Sequence, residues 1–198
     1  MIQYAVLRRT PRFLRWYRTR LTLDWKRLTS YLPTEGKVLD VGCGVGLVDY
    51  EVARARPKVE ILGIDLSDEI IAMAQSYNAT PNVEYKCVDL RCVEGQFDCI
   101  LLVDVFHHVP PDERLALLEA SSVLLSDRGC VLIKDIERDG GQISWFMDRV
   151  VSRAPAVYLQ NCNELAAEVT QRLHVIKTEV HFRFPFPHFY IVAQSMAR

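Results

Sequence analysis

The chain has 198 residues, 49% of them apolar and 25% charged, with a formal net charge of -1. That length suits one domain with a core of its own, and the balance excludes a disordered, collagen-like or disulfide-scaffold chain. No apolar run reaches the roughly 18 residues that a membrane span needs, and MIQYAVLRRTPR, with its arginines after the short apolar stretch, is a poor secretory signal.

The first 30 residues carry eight basic side chains against the single acid Asp24, so the remainder is acidic. Thr10-Pro11 reads as an N-cap followed by proline at the first helical position. Leu14, Tyr17, Leu21, Trp25 and Leu28 follow at spacings of three and four, which predicts one amphipathic helix. After Pro33 the pattern changes. Val38 to Val41 is a short buried strand ended by glycines, and a helix follows to about residue 56. Val59 to Asp65 is a second strand, and Ser67 caps a helix with Ile70, Ile71, Ala74 and Tyr77 on its inward face. Val83 to Val88 and Phe97 to Val105 are the third and fourth strands. Pro110-Pro111-Asp112 opens a helix ending near Ser126, and Cys130 to Ile136 is a fifth strand. Near-continuous apolar strands alternating with helices make a parallel sheet covered on both faces.

The end of the chain differs. Asn161 or Asn163 caps a helix to about Arg172. Ile176, Val180, Phe182 and Phe184 then alternate with Lys177, Glu179, His181 and Arg183, the period of a half-solvated edge strand. Phe189 to Ala193 is apolar throughout and reads as a central strand. The short Pro185-Phe186-Pro187 turn makes these two an antiparallel pair.

Six cysteines, at 43, 87, 92, 99, 130 and 162, include no CxxC pair and no zinc pattern. Cys87, Cys99 and Cys130 lie in apolar runs, so buried free thiols and a reducing, cytoplasmic setting are expected.

The chemistry centres on Asp40-Val41-Gly42-Cys43-Gly44-Val45-Gly46, between a strand and a helix. Glycines there let the backbone turn tightly and approach a ligand outside the carboxyl ends of the strands. Asp65 ends the second strand 19 residues after Gly46, where a carboxylate can accept both hydroxyls of a ribose. Asp89 closes the third, where it can accept from an adenine amino group. Three acids at three successive strand ends suit a nucleoside ligand.

VLDVGCGVG (38–46), GIDLS (63–67), CVDL (87–90) and FDCILLVDVFHHV (97–109) together resemble the motifs of the class I S-adenosylmethionine-dependent methyltransferases, over roughly residues 33–195. The resemblance implies a doubly wound, Rossmann-like α/β fold. Its seven-stranded sheet has the order 3-2-1-4-5-7-6 with strand 7 antiparallel, in a single domain whose residues 1–32 form a helical lid segment. It implies S-adenosylmethionine as cofactor, S-adenosylhomocysteine as product, and a binding set of Asp40, Gly42, Cys43, Gly44, Gly46, Asp65, Leu66, Asp89, Leu90 and Val103. For Asp40 a structural role weighs as much as a binding one. Two other readings stay open. A nicotinamide-dependent oxidoreductase would need GxGxxG, but Leu47 stands at the third glycine and no Tyr-x-x-x-Lys occurs. A noncatalytic member of the fold would bind the cofactor without turnover.

On the acceptor side His107 and His108 follow the fourth strand, and a histidine can take a proton from a hydroxyl nucleophile near neutral pH. His107 is preferred as base; His108, Asp135 and Glu137 compete, and His188 fits a core or turn role better. Asp104 and Asp135 do not make a compelling metal set, so no metal is expected. The aromatics of Trp145-Phe146-Met147 and of Tyr4, Trp16 and Tyr17 would cover a hydrophobic or aromatic small molecule, with O-methylation favoured. Arg8, Arg12 and Arg15, about one turn apart, would recruit an acyl carrier protein or an anionic surface; nucleic acid is disfavoured.

Overall fold

The computed structural model describes residues 22–138, 157–183 and 186–196. Its first complete helix is α1 (Trp25–Tyr31), capped by the Asp24 carboxylate, which accepts from the Arg27 N–H at 3.1 Å. The cap corrects the expectation of one unbroken helix through Leu28: an aspartate that satisfies an orphan N–H starts a new helix instead of continuing an old one. The basic row, the Thr10-Pro11 start and the aromatics Tyr4, Trp16 and Tyr17 lie outside the described residues, as do Trp145, Phe146 and Met147.

Then follow β1 (Glu35–Val41), α2 (Leu47–Ala55), β2 (Lys58–Asp65), α3 (Asp68–Asn78), β3 (Val83–Cys87), β4 (Phe97–Val103), α4 (Pro111–Val123) and β5 (Leu125–Ile136). After residue 156 come α5 (Cys162–Val169), β6 (Leu173–Arg183) and β7 (Phe186–Ser195). The seven strands lie in the order β3-β2-β1-β4-β5-β7-β6. Only β7 runs against its neighbours, pairing antiparallel with both β5 and β6. The doubly wound α/β fold is as the sequence implied. No described helix is long and apolar enough to cross a membrane.

The central strands are apolar on both faces because both faces are covered. On one, Leu23, Leu28 and Leu32 of the α1 region and Val48 and Val52 of α2 pack on Val38, Leu101, Leu132 and Tyr190. On the other, Leu118 of α4 and Leu165 and Val169 of α5 pack on Leu39, Ile100, Ile133 and Ile191. The described end of the expected lid segment, from Leu23 to Leu32, is thus core. Leu28 has no exposed surface, so Leu28→Ala is expected to cost about 2–5 kcal/mol of stability; urea unfolding measures it, and a loss under 1 kcal/mol would mean that α1 peels off freely.

Several local expectations change. Tyr77 is exposed, and Asn78 takes the inward position one turn after Ala74, donating to the Val45 carbonyl at 2.6 Å. Cys87 is exposed because it ends β3, an edge strand, and Cys92 is exposed in the turn beyond it; all six cysteines are free thiols. On β6 the alternation is present but its sense is inverted. Ile176, Val180 and Phe182 face outward, while Glu179 and Arg183 meet α1 and its cap. Arg27 donates to Glu179, Tyr31 donates to the same carboxylate at 3.0 Å, and Arg183 pairs with Asp24 at 3.9 Å. A period of two cannot say which face is covered when the cover is itself a charged helix.

Candidate active site

The glycine loop joins β1 to α2, with Gly42, Gly44 and Gly46 all at positive φ. Gly46 admits no side chain, because a Cβ there would overlap the Tyr85 hydroxyl. At Gly44 nothing lies within 4 Å of a Cβ position, so the loop's backbone is open to a ligand. Gly42 touches the other side of the site: its Cβ position lies 3.0 Å from Val105, in the turn that follows β4.

Asp65 ends β2 beside this opening. Its carboxylate accepts from the Gly44 N–H at 3.2 Å and the Ser67 N–H at 3.1 Å. With the Leu66 N–H as a third backbone donor, lone-pair counting leaves one acceptor position for a ligand. Burial pushes its pKa up, against these hydrogen bonds. Leu66, next in the chain, is 76% exposed, an apolar side chain in the open beside a carboxylate. These features fit a nucleoside. Asp89 is more committed: Arg91 donates three hydrogen bonds to it and holds its carboxyl down to about 2. By lone-pair count one acceptor position remains, on Oδ2, for an adenine amino group.

Four members of the expected binding set do not present side chains to the opening. Cys43 packs against Ile71, Ala74 and Tyr85, and Leu90 is in the main core. Val103 is half-buried against the α1-side core. Asp40, 2% exposed, lies beneath the loop within hydrogen-bonding reach of Asp49 of α2, which has no exposed surface. The alternation of β1 sends Leu39 and Val41 to the α4–α5 core and Val38 and Asp40 to the α2 side. The Asp49 oxygens meet no protein N–H or O–H donor among the described residues, and the carboxyl of Asp40 is beside them. Desolvation pushes both pKa values up, that of Asp49 to about 7.

An unfolded aspartate ionises near 4. Between that pH and about 7 the folded chain holds on Asp49 a proton that the unfolded chain lacks, and this group alone makes stability fall as pH rises, at about 1.4 kcal/mol per pH unit. Asp49→Asn should remove this part of the slope, raising Tm more at pH 8 than at pH 5. An equal change at both pH values would contradict a raised Asp49 pKa.

On the acceptor side, a short 3-10 turn (Phe106–His108) follows β4. His107, 4% exposed, sets its Nδ1 at 2.6 Å from Asp135 Oδ1, and its backbone N–H donates to Oδ2 of the same residue at 3.1 Å. His108 is exposed, its ring 3.9 Å from that of His107. Arg114 donates to the carbonyls of Val109 and Tyr158, and the Tyr158 N–H donates to that of His107. The chain thus returns from residues 139–156 onto the His107 turn. Glu137 is corrected as a base: its carboxylate accepts from the Cys162 N–H at the start of α5, at 3.0 Å. Asp104 and Asp135 are engaged by Lys134 and His107, and no cluster with three metal-ligating side chains occurs among the described residues. The sequence reading passed over Asp49 and Lys134. A lone lysine in the run Val131-Leu132-Ile133-Lys134 was the available signal.

Residues 38–129 match the family described as "Methyltransferase domain". Over 117 residues the chain is 35% identical to the mitochondrial ubiquinone biosynthesis O-methyltransferase of Saccharomyces cerevisiae, covering 57% of this chain and 36% of that one. It is 32% identical over 126 residues to a ubiquinone biosynthesis O-methyltransferase of Ralstonia nicotianae, covering 60% and 50%. The chain spans half or less of the length of these relatives. Among solved structures, a SAM-dependent methyltransferase from Methanosarcina mazei superposes with a TM-score of 0.73 at 17% identity, over 89% of this chain and 100% of that one. The magnesium protoporphyrin IX methyltransferase of Synechocystis PCC 6803, with bound SAM, gives 0.68 at 18% identity, over 97% and 91%. Residues 38–129 thus match a methyltransferase domain, and the likeness in fold to solved SAM-dependent methyltransferases extends over 89% and 97% of the chain.

Proposed function

We propose that the chain binds S-adenosylmethionine and transfers its methyl group to a hydroxyl of a small hydrophobic or aromatic molecule. The observation that carries this is one continuous edge. The open glycine loop and Asp65 stand on one side of the Gly42–Val105 contact, and the buried His107–Asp135 pair stands two residues beyond Val105. The names of the ubiquinone O-methyltransferase relatives agree with an oxygen acceptor.

Bound S-adenosylmethionine supplies a methyl group already activated on a sulfonium. Asp65 would hold the ribose, and the Gly44 backbone would let the donor lie close. Asp135, facing Nδ1, fixes the neutral imidazole as the Nδ1–H tautomer, so that Nε2 carries the basic lone pair. His107 Nε2 would take the hydroxyl proton as the acceptor oxygen takes the methyl group, the pair of the broken carbon–sulfur bond staying on sulfur. Orientation alone can lower such a barrier by roughly 7–11 kcal/mol. Recruitment of an anionic carrier by Arg8, Arg12 and Arg15 is a further part of the proposal, supported by charge only; it would weaken as salt rises.

The test is a methyl-transfer screen with labelled donor against cell extract, the product identified by mass. A labelled methyl ether on a small molecule is expected. Donor binding with no labelled product from any extract would favour the noncatalytic reading.

A further inference from the structure

Lys134 is the most unexpected side chain of the sheet. It lies on β5 beside Val103 and Tyr190 and has no exposed surface. An ammonium in such a place is costly unless paired, and a methionine would pack there more cheaply. Its Nζ donates to Asp104 Oδ1 at 2.6 Å, while the Asp104 N–H donates to the Lys134 carbonyl at 2.8 Å. Two bonds to one partner thus pin Asp104. They hold it at φ +58°, the only positive φ at a non-glycine among the described residues. Strained backbone of this kind persists only where its surroundings over-determine it.

The Asp104 side chain, unlike that of Lys134, is 40% exposed. It sits next to Val105, which touches Gly42 of the glycine loop. A donor running from Asp65 across Gly44 towards His107 would bring its sulfur to this turn.

We propose that Asp104, pinned by Lys134, is the carboxylate that faces the donor's sulfonium and lets the site distinguish the charged donor from the neutral thioether product. The proposal rests on the methyl-transfer reading above. It assigns Lys134 as a positioning residue that acts through Asp104. The charged and titratable groups around Asp104 are Lys134 on β5, His107 in the 3-10 turn, and His188 and Tyr190 on β7. Desolvation opposes the Asp104 charge, but Lys134 overrides it and holds the carboxyl down to about 2. The same ammonium adds to burial in pushing the His188 imidazole down to about 4, so this histidine is neutral near pH 7. Asp104 therefore stays charged across the working pH range, and its charge is not shared with His188.

Calorimetry with S-adenosylmethionine and S-adenosylhomocysteine tests this without an acceptor. Asp104→Asn should weaken the methionine form about tenfold and the homocysteine form less than about twofold, because only the first carries the sulfonium charge. Lys134→Met should show the same selective loss at about pH 5.5, where an Asp104 without its ammonium takes up a proton, and a smaller one at about pH 7.5. Lys134→Arg, which keeps the charge, should retain the wild-type ratio at both. If Lys134→Met does not fold, the Asp104→Asn ratio and the Lys134→Arg rescue decide. Equal weakening of both ligands in Asp104→Asn would reduce the pair to a structural one, and unchanged affinities would remove Asp104 from the sulfonium. If the wild type binds neither ligand, the methyl-transfer reading fails as well.

Discussion

His107→Ala is expected to lower kcat by about 10²–10⁴-fold, the range of general-base catalysis, and to leave donor affinity unchanged. The imidazole is buried and its Nδ1 is occupied by a carboxylate at 2.6 Å, which orients the ring and fixes its tautomer. Asp135 also accepts from the His107 and Ile136 N–H groups, so it ties the turn after β4 to the end of β5. Asp135→Asn should therefore lose activity as well, by letting the imidazole take the wrong tautomer. His108→Ala, at an exposed ring, should cost far less. Steady-state kinetics of the three variants on a hydroxyl acceptor from the screen, with donor binding measured beside them, give the comparison. Losses that are small and equal in all three would mean that positioning alone drives transfer.

Asp65→Ala should weaken S-adenosylmethionine by roughly tenfold or more, since a hydrogen bond to a charged carboxylate contributes about 1.5–3 kcal/mol. Part of the loss would come through the loop, because Asp65 also accepts from the Gly44 N–H. Asp65→Asn separates the parts: it keeps an acceptor for Gly44 and gives up the charge, so an intermediate affinity is expected. Titration calorimetry on the folded variants measures both. An unchanged affinity in Asp65→Ala would leave this residue as a cap for the chain entering α3.

The layout of the sheet could be read from the sequence because its strands obey a simple constraint. Val38 to Val41, Phe97 to Val103 and Phe189 to Ala193 are apolar with little interruption, and only a sheet covered on both faces accepts such strands. The donor edge was legible for a similar reason: glycines at strand ends and a following acid are local signals, and the loop and Asp65 do meet. What local patterns cannot carry is direction and long-range partnership. The apolar row of β6 faces out because α1, far away in sequence, offers charged groups to the other face. Asp40 sits at a strand end like Asp65, yet it turns under the loop beside Asp49. Glu137 and Asp135 are two residues apart, yet one anchors α5 and the other orients His107. Lys134 and Asp104 are separated by 30 residues and meet only because β4 and β5 are neighbours.

The glycine loop and Asp65 are proposed to form a binding site for S-adenosylmethionine. Titration of the purified chain with this ligand, and in parallel with a nicotinamide dinucleotide, is the decisive measurement. One site per chain for S-adenosylmethionine without added metal, and none for the dinucleotide, is the expected result. Absence of binding at millimolar S-adenosylmethionine, or preference for the dinucleotide, would contradict it.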